Sequence, residues 1–173
     1  MSENLQADVI VIGSGATGLV AALTAAEGGA KVIVFEKQRS PGGTSNFFGG
    51  IFAVESFLQR EKYITFSKDD AFKAVMEYSH WRANPRLVRA IVNESAGTIS
   101  WLIEQGVEIP EATINMPNTP MVYHPVKGRG AALVKALATK SKEKGVDIRL
   151  GVPVTSVLKE GGRISGVVYE SNG

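Results

Sequence analysis

Three glycines and one glutamate carry the chemistry written most plainly in this sequence. Gly13, Gly15 and Gly18 lie within GSGATG, and Glu36 follows 18 residues beyond Gly18. In a G-x-G-x-x-G loop the first glycine permits a tight turn out of a strand. The second removes the side chain where backbone must approach a pyrophosphate, and the third lets a helix lie close to the strand. The helix that starts there directs free N–H groups and the positive end of its dipole at the phosphates. A carboxylate at Glu36 accepts hydrogen bonds from ribose hydroxyls and repels a 2′-phosphate. The bland alternative is a packing-only glycine turn beside a solvated glutamate. The triplet alone does not separate the two; a buried-type strand before it, a helix after it and an acid closing the next strand favour a dinucleotide.

Other residues able to do chemistry are sparse. His124 precedes Gly128 and Gly130 at a helix start, which reads either as a second anion site or as a loop histidine bonded to backbone, the latter favoured. Arg129 can approach a phosphate or a carboxylate, but an arginine at a helix start is more often solvated. His80 and Trp81 close a helix and read as packing, and Phe47 and Phe48 read either as aromatics stacking near a cofactor ring or as loop aromatics filling a local core, the latter favoured. The two histidines are far apart and there is no cysteine, so thiolate metal sites, iron–sulfur ligation and disulfides are excluded. No paired carboxylates or nucleophile–base pair emerge, and no catalytic residue is assigned.

The elements that must position the glycine loop follow from pattern. Asp8–Ile12 is a short β-branched run of the kind buried on both faces of a parallel sheet. Leu19–Glu27 is an alanine- and leucine-rich helix closed by Gly28-Gly29, and Lys31–Glu36 is a second buried-type strand. Together they make one βαβ unit of roughly 30 residues. Arg39–Gly50 is a glycine-rich loop. Ser67 with Asp70 predicts a capped helix carrying Phe72, Val75, Met76 and Tyr78 toward a core. Asn84 and Pro85 open the next helix, with Leu87, Val88, Ile91, Thr98, Leu102 and Ile103 as its apolar positions and Gly106 as its end. Glu111–Pro125, with three prolines, reads as a loop or irregular crossover. A helix over 130–144, a third parallel strand at Val146–Leu150 and a hairpin of Pro153–Leu158 with Arg163–Tyr169 complete the chain.

Composition sets the outer limits. The hydrophobic fraction of 44% and the charged fraction of 21% in 173 residues suit one globular domain with a real core. A net charge of +2, without basic blocks, argues against nucleic acid as a partner. The apolar stretch Val9–Ala26 is broken by glycines and preceded by Glu3 and Asp8, so it reads neither as a secretory signal nor as a membrane span. A cytoplasmic protein is the default expectation.

A second glycine cluster addresses which dinucleotide is meant. Gly42, Gly43, Thr44 and Ser45 follow Glu36 and Lys37 at the distance where an extended flavin nucleotide continues from its pyrophosphate, and Gly49-Gly50 would let backbone lie against an isoalloxazine ring. A nicotinamide domain would more typically continue directly into another βα unit. FAD is therefore expected. Two rival readings stay open, an NAD(P)-dependent dehydrogenase domain and a cofactor-binding fragment without activity of its own.

The runs DVIVIGSGATGLVAALTAAEGGAKVIVFEK, SPGGTSNFFGGI, NPRLVRAIVNESAGTISWLIEQGVEI and HPVKGRGAALVKALATKSKEKGVDIRLGVPVTSVL, with GRISGVVY after them, resemble the fumarate reductase/succinate dehydrogenase flavoprotein family across essentially the whole chain. The resemblance implies an α/β Rossmann-like FAD-binding fold with a parallel sheet between helices and a β-hairpin layer. It implies cofactor contacts at Gly13, Gly15, Ala16, Gly18, Glu36, Lys37, Gly42, Gly43, Thr44, Ser45, Gly49 and Gly50, with the backbone of Val154 facing the adenine. Members that hold flavin covalently use a histidine just before the Gly-Gly pair. GGTSNFFGG has none, so FAD is expected to be non-covalent. The resemblance also makes residues 1–173 the N-terminal part of the FAD domain, the capping domain and the substrate-binding residues lying beyond position 173. The implied reaction of the complete protein is hydride transfer between flavin and a carbon–carbon bond next to a carboxylate or carbonyl. Its substrate would be fumarate or a related enoate or enone, with an electron-transfer partner, and the isolated segment is expected to be inactive.

Overall fold

The computed structural model describes residues 5–116 and 119–170. They form two compact units, one of residues up to Phe48 together with those from Ala131 onward, the other Gly49–Gly130.

In the first unit, β1 (Val9–Ile12) and β2 (Val32–Glu36) pair in parallel, and β2 pairs in parallel with β6 (Asp147–Leu150), giving the order β1-β2-β6. Between the first two strands runs α1 (Ala16–Glu27), whose Leu19, Ala22 and Leu23 are fully buried. Ala22 joins Val32, Val34 and Val146 in a core against which Val9, Val11 and Ile148 pack. All five residues of β2 are buried. The expectation that β1 is buried on both faces fails: Ile10 and Ile12 point away from α1 and are 36% and 56% exposed. A parallel strand is covered on both faces only where elements lie on both, and among the described residues β1 has cover on one.

The antiparallel hairpin of β7 (Val154–Glu160) and β8 (Arg163–Tyr169) belongs to this unit too. Its turn is Gly161-Gly162, both at positive φ, which is the two-residue turn whose twist matches the strands it joins. Lys159 and Glu160 are thus strand residues and not loop. The Tyr169 ring stacks on Phe35 with centroids 4.8 Å apart. The body of α5 (Arg129–Glu143), with buried Leu133, Val134 and Leu137, precedes β6. The mixed α/β class, the parallel sheet and the hairpin all match the sequence reading.

The second unit holds β3 (Gly50–Phe52), α2 (Phe57–Glu61), α3 (Lys68–Tyr78), α4 (Pro85–Glu104), β4 (Thr113–Met116) and β5 (Thr119–Pro125). Ser67 and Asp70 form the expected capping box on α3, and Asn84 caps α4 with Pro85 at its first position. The buried stripe of α4 is Val88, Val92, Ser95, Ile99 and Leu102. Leu87 and Ile91, expected inside, are 60% and 54% exposed. The stripe was misread because Ser95 sits in it: its hydroxyl accepts from the Val54 N–H (3.0 Å) and donates to the Val92 carbonyl (2.8 Å), so a polar residue is accommodated in the core. Tyr78, likewise expected inside, is 91% exposed; α3 buries Met76, as expected, together with Ala71.

Within the stretch expected to be a loop, β4 and β5 are strands of a sheet. β5 is central in the antiparallel order β3-β5-β4. The prolines are tolerated because Pro120 lies in β5 before the stretch that β3 reaches and Pro125 is the last residue of the strand. Pro117 lies outside the described residues.

All five α-helices among the described residues end in the same way. The N–H two residues past the cap bonds the carbonyl five back, and the preceding residue is left-handed. That left-handed residue is Gly29, Gly106 and Gly145 after α1, α4 and α5. After α2 and α3 it is Tyr63 and His80. His80 and Trp81 are therefore not packing residues: both are exposed and at positive φ.

Candidate functional site

The glycine loop leaves β1 through Gly13, whose φ of 95° is a left-handed value and whose N–H donates to the Phe35 carbonyl (2.8 Å). A Cβ on Gly18 would strike the Gly13 carbonyl, so that glycine is required by the close return of α1 over its own turn. Gly15 differs from both. Its backbone is extended (φ −64°, ψ 173°), and a Cβ there would lie 3.5 Å from Ser45 Oγ and 3.8 Å from the Gly42 carbonyl, ordinary van der Waals contact. Neither conformation nor packing within the chain requires glycine at position 15.

Gly15 is also the N-cap of α1, with no side-chain cap from its own turn and no acid in the first turn. One exception to this openness comes from afar: Ser45 Oγ accepts the Ala16 N–H at 3.0 Å. The second glycine cluster is drawn to the first by that bond and by the Gly42 N–H, which donates to the Ser14 carbonyl at 3.0 Å. Gly43–Asn46 forms a 3-10 turn there, so Gly42, Gly43, Thr44 and Ser45 lie beside the loop of Gly13, Gly15, Ala16 and Gly18.

Glu36, at the end of β2, is buried, with 7% of its surface exposed. Its Oε2 accepts from both the Ser14 N–H (2.8 Å) and the Ser14 hydroxyl (2.7 Å), and its Oε1 accepts from the Gln38 N–H (2.8 Å). Burial works to raise its pKa, but the N–H groups of Gln38 and Ser14, the Ser14 hydroxyl and the Lys37 charge outweigh it and hold the carboxyl below its ordinary value. Sequence reasoning found Glu36 but missed Ser14. The only signal was a hydroxyl between two loop glycines, and spacing cannot show that it faces the acid. Lys37 is exposed, and Val154 is half-buried at the start of β7, paired with Tyr169.

Gly49 and Gly50 belong to the other unit. A Cβ on either would run into the Tyr123 side chain, and one on Gly50 would also meet the His124 carbonyl. The His124 carbonyl is sufficient reason for Gly50, whereas at Gly49 the close contact is with the Tyr123 hydroxyl alone. His124 is not a loop residue at an anion site: it lies on β5, is fully buried, and its Nε2 sits 2.6 Å from Ser56 Oγ. Burial pulls its pKa below the ordinary value, with the Ile51 backbone beside the ring partly opposing that. Arg129 and Phe47 are exposed and Phe48 is half-buried.

A dinucleotide cofactor can be tested against these residues. A pyrophosphate needs an open glycine, a helix start with N–H groups to donate and nearby hydroxyls; a ribose needs an anchored carboxylate. Gly15, the start of α1, Ser45 and Glu36 supply each of these, so the residues fit the group.

The chain matches the family described as "FAD binding domain" over residues 8–173. It is 39% identical over 166 residues to a vinyl phenol reductase of Lactiplantibacillus plantarum, the match covering 95% of this chain and 34% of that protein. It is 32% identical over 164 residues to an NADH:fumarate oxidoreductase of Klebsiella pneumoniae, covering 92% of this chain and 18% of that one. Among solved structures, a flavocytochrome c3 fumarate reductase in an open conformation superposes with a TM-score of 0.86 at 25% identity, covering 94% of this chain and 30% of the other. The chain spans about a third or less of the length of these relatives.

Proposed function

Because the chain belongs to the FAD binding domain family, of the fumarate reductase/succinate dehydrogenase flavoprotein type, we propose that residues 1–173 are the N-terminal part of a Rossmann-like FAD domain, and that the whole protein forms or reduces carbon–carbon double bonds. The cofactor is FAD. The observation that carries the site is Gly15, the loop glycine that the protein itself does not require. There the pyrophosphate would meet the start of α1, with Gly13, Ala16 and Gly18 shaping the turn and Gly42, Gly43, Thr44 and Ser45 closing beside it. Glu36 and Lys37 would serve the ribose end, and Val154 the adenine. Gly49 and Gly50 rest on the family resemblance alone.

When bound, FAD supplies hydride transfer to or from a carbon–carbon bond. The chain's own part is to hold and orient it: N–H groups on the phosphates, an ionised carboxylate on the ribose, and no side chain at position 15 to hold the phosphates off. GGTSNFFGG offers no histidine for a covalent flavin link, which supports non-covalent binding. The names of the relatives support a substrate class of small molecules whose double bond is conjugated to a carboxylate or a phenol. An electron-transfer partner and a cytoplasmic location belong to the same proposal. No helix among the described residues is long and apolar enough to cross a membrane.

The test is a visible spectrum of the purified full-length protein, followed by acid precipitation. Flavin bands that pass wholly into the supernatant are the expected result. Flavin kept in the pellet would overturn non-covalent binding, and no flavin even after FAD supplementation would overturn the cofactor. Gly15→Ala is expected to weaken FAD at least about tenfold with an unchanged unfolding midpoint. A variant that binds FAD normally would remove the assignment of the phosphate site.

A further inference from the structure

The Ser14–Glu36 contact joins two residues that are both buried, with Ser14 at 0% exposure. An ionised carboxylate has about four acceptor positions, two on each oxygen. Here Oε2 already takes two donors, the N–H and the hydroxyl of Ser14. Oε1 takes one, the Gln38 N–H. What remains for a ligand is a single acceptor position, and it is on Oε1.

We propose that Ser14 is a positioning residue for the adenosine end of FAD: by occupying Oε2 with both of its donors it fixes the Glu36 carboxylate and presents Oε1 to one ribose hydroxyl. This rests on the FAD reading above. The serine performs two tasks through one oxygen. It orients the carboxylate, because two donors converging from one residue leave no freedom to rotate about the Cγ–Cδ bond. It also keeps the group ionised, because both donors stabilise the charged form. The Gln38 N–H and the Lys37 charge act in the same sense and remain when the hydroxyl is removed. Ser14 touches no phosphate in this assignment; it acts through Glu36.

The experiment is a double-mutant cycle on FAD affinity in the full-length protein, read by flavin fluorescence on titrating the apoprotein from about pH 3 to about pH 8, a range that reaches below the ordinary glutamate pKa. Ser14→Ala, which keeps the backbone donor, is expected to weaken FAD about tenfold at pH 7. Its affinity should also begin to fall at higher pH than the wild type's, since Glu36 loses a donor to its charged form. In the Glu36→Gln background, Ser14→Ala should add less than about twofold, and the pH dependence should be gone. Equal and additive losses in both backgrounds, or a pH profile unmoved by Ser14→Ala, would overturn the proposal while leaving FAD binding intact. A wild-type protein that fails to take up FAD would instead defeat the reading on which it rests. Should the alanine variant not fold by circular dichroism, Ser14→Cys serves in its place: a thiol of similar size is a weak donor, and the same two comparisons decide.

Discussion

At the scale of single residues, the polar groups buried in this chain divide by what holds them. Glu36 is ionised inside the first unit because donors from Ser14 and Gln38 surround it. Truncating it leaves those donors without an acceptor, so Glu36→Ala should lose FAD and also destabilise the apoprotein, by about 1–3 kcal/mol. Equilibrium unfolding in urea would measure this, and an unchanged midpoint would mean that the loop stands without its anchor. His124 is held in the opposite sense, neutral and buried against Ser56. As pH falls through the ordinary histidine value of 6.5, the unfolded chain takes up a proton that the folded protein does not yet accept. Stability is therefore full above that value and declines below it, by up to about 1.4 kcal/mol per pH unit for one proton. His124→Gln should flatten this part of the stability–pH curve, and a slope that persists in the variant would assign the proton elsewhere. Sequence spacing made Glu36 legible because strand, loop and helix fix where the acid must fall. It could not reveal Ser14 or the burial of His124, because both depend on which residue lies opposite across the fold.

Among the elements, helix beginnings were easier to read than helix ends and faces. Ser67 with Asp70, and Asn84 with Pro85, are local signals whose partners lie within three residues, and both caps formed as expected. The ends after α1, α4 and α5 were equally visible, since glycine occupies the left-handed position. Tyr63 and His80 hold that same position against a steric preference, which is why their helix ends were not legible. His80→Gly and Tyr63→Gly should each stabilise the chain by about 0.5–1 kcal/mol, whereas Gly106→Ala should cost about 1 kcal/mol although nothing lies within contact of the added methyl. Urea midpoints for the three variants would check this, and a loss of stability in either glycine variant would show that the side chain contributes more than the backbone strain costs. The antiparallel sheet of β3, β5 and β4 was missed for a related reason. Proline density suggests a loop, but pairing depends on partners remote in sequence, and β3 meets β5 through pairs as distant as Gly50 with Pro125.

On the scale of the whole molecule, we expect the holding of a cofactor and the execution of a reaction to be separable. The matched region is about a third or less of the length of the relatives, and no catalytic residue is assigned to the matched part. The 173-residue chain alone is expected to show no oxidation of reduced dye with fumarate or related enoates, and measurable turnover would mean that the machinery lies within it. FAD added at a hundredfold excess over its Kd should stabilise whatever binds it by about 2.7 kcal/mol, so a thermal shift reports binding even without activity. One feature of the parallel sheet bears on handling the chain by itself. Among the described residues no strand pairs with the outer edge of β1, and that strand reads Val-Ile-Val-Ile, with two of its side chains exposed. Unpaired N–H and C=O groups along an uncharged, proline-free apolar strand are a template onto which another strand can add. The same four residues that lead the chain into its cofactor loop would then nucleate aggregation, and Ile12→Lys should lower concentration-dependent light scattering of the 173-residue chain by placing a charge where a foreign strand would dock.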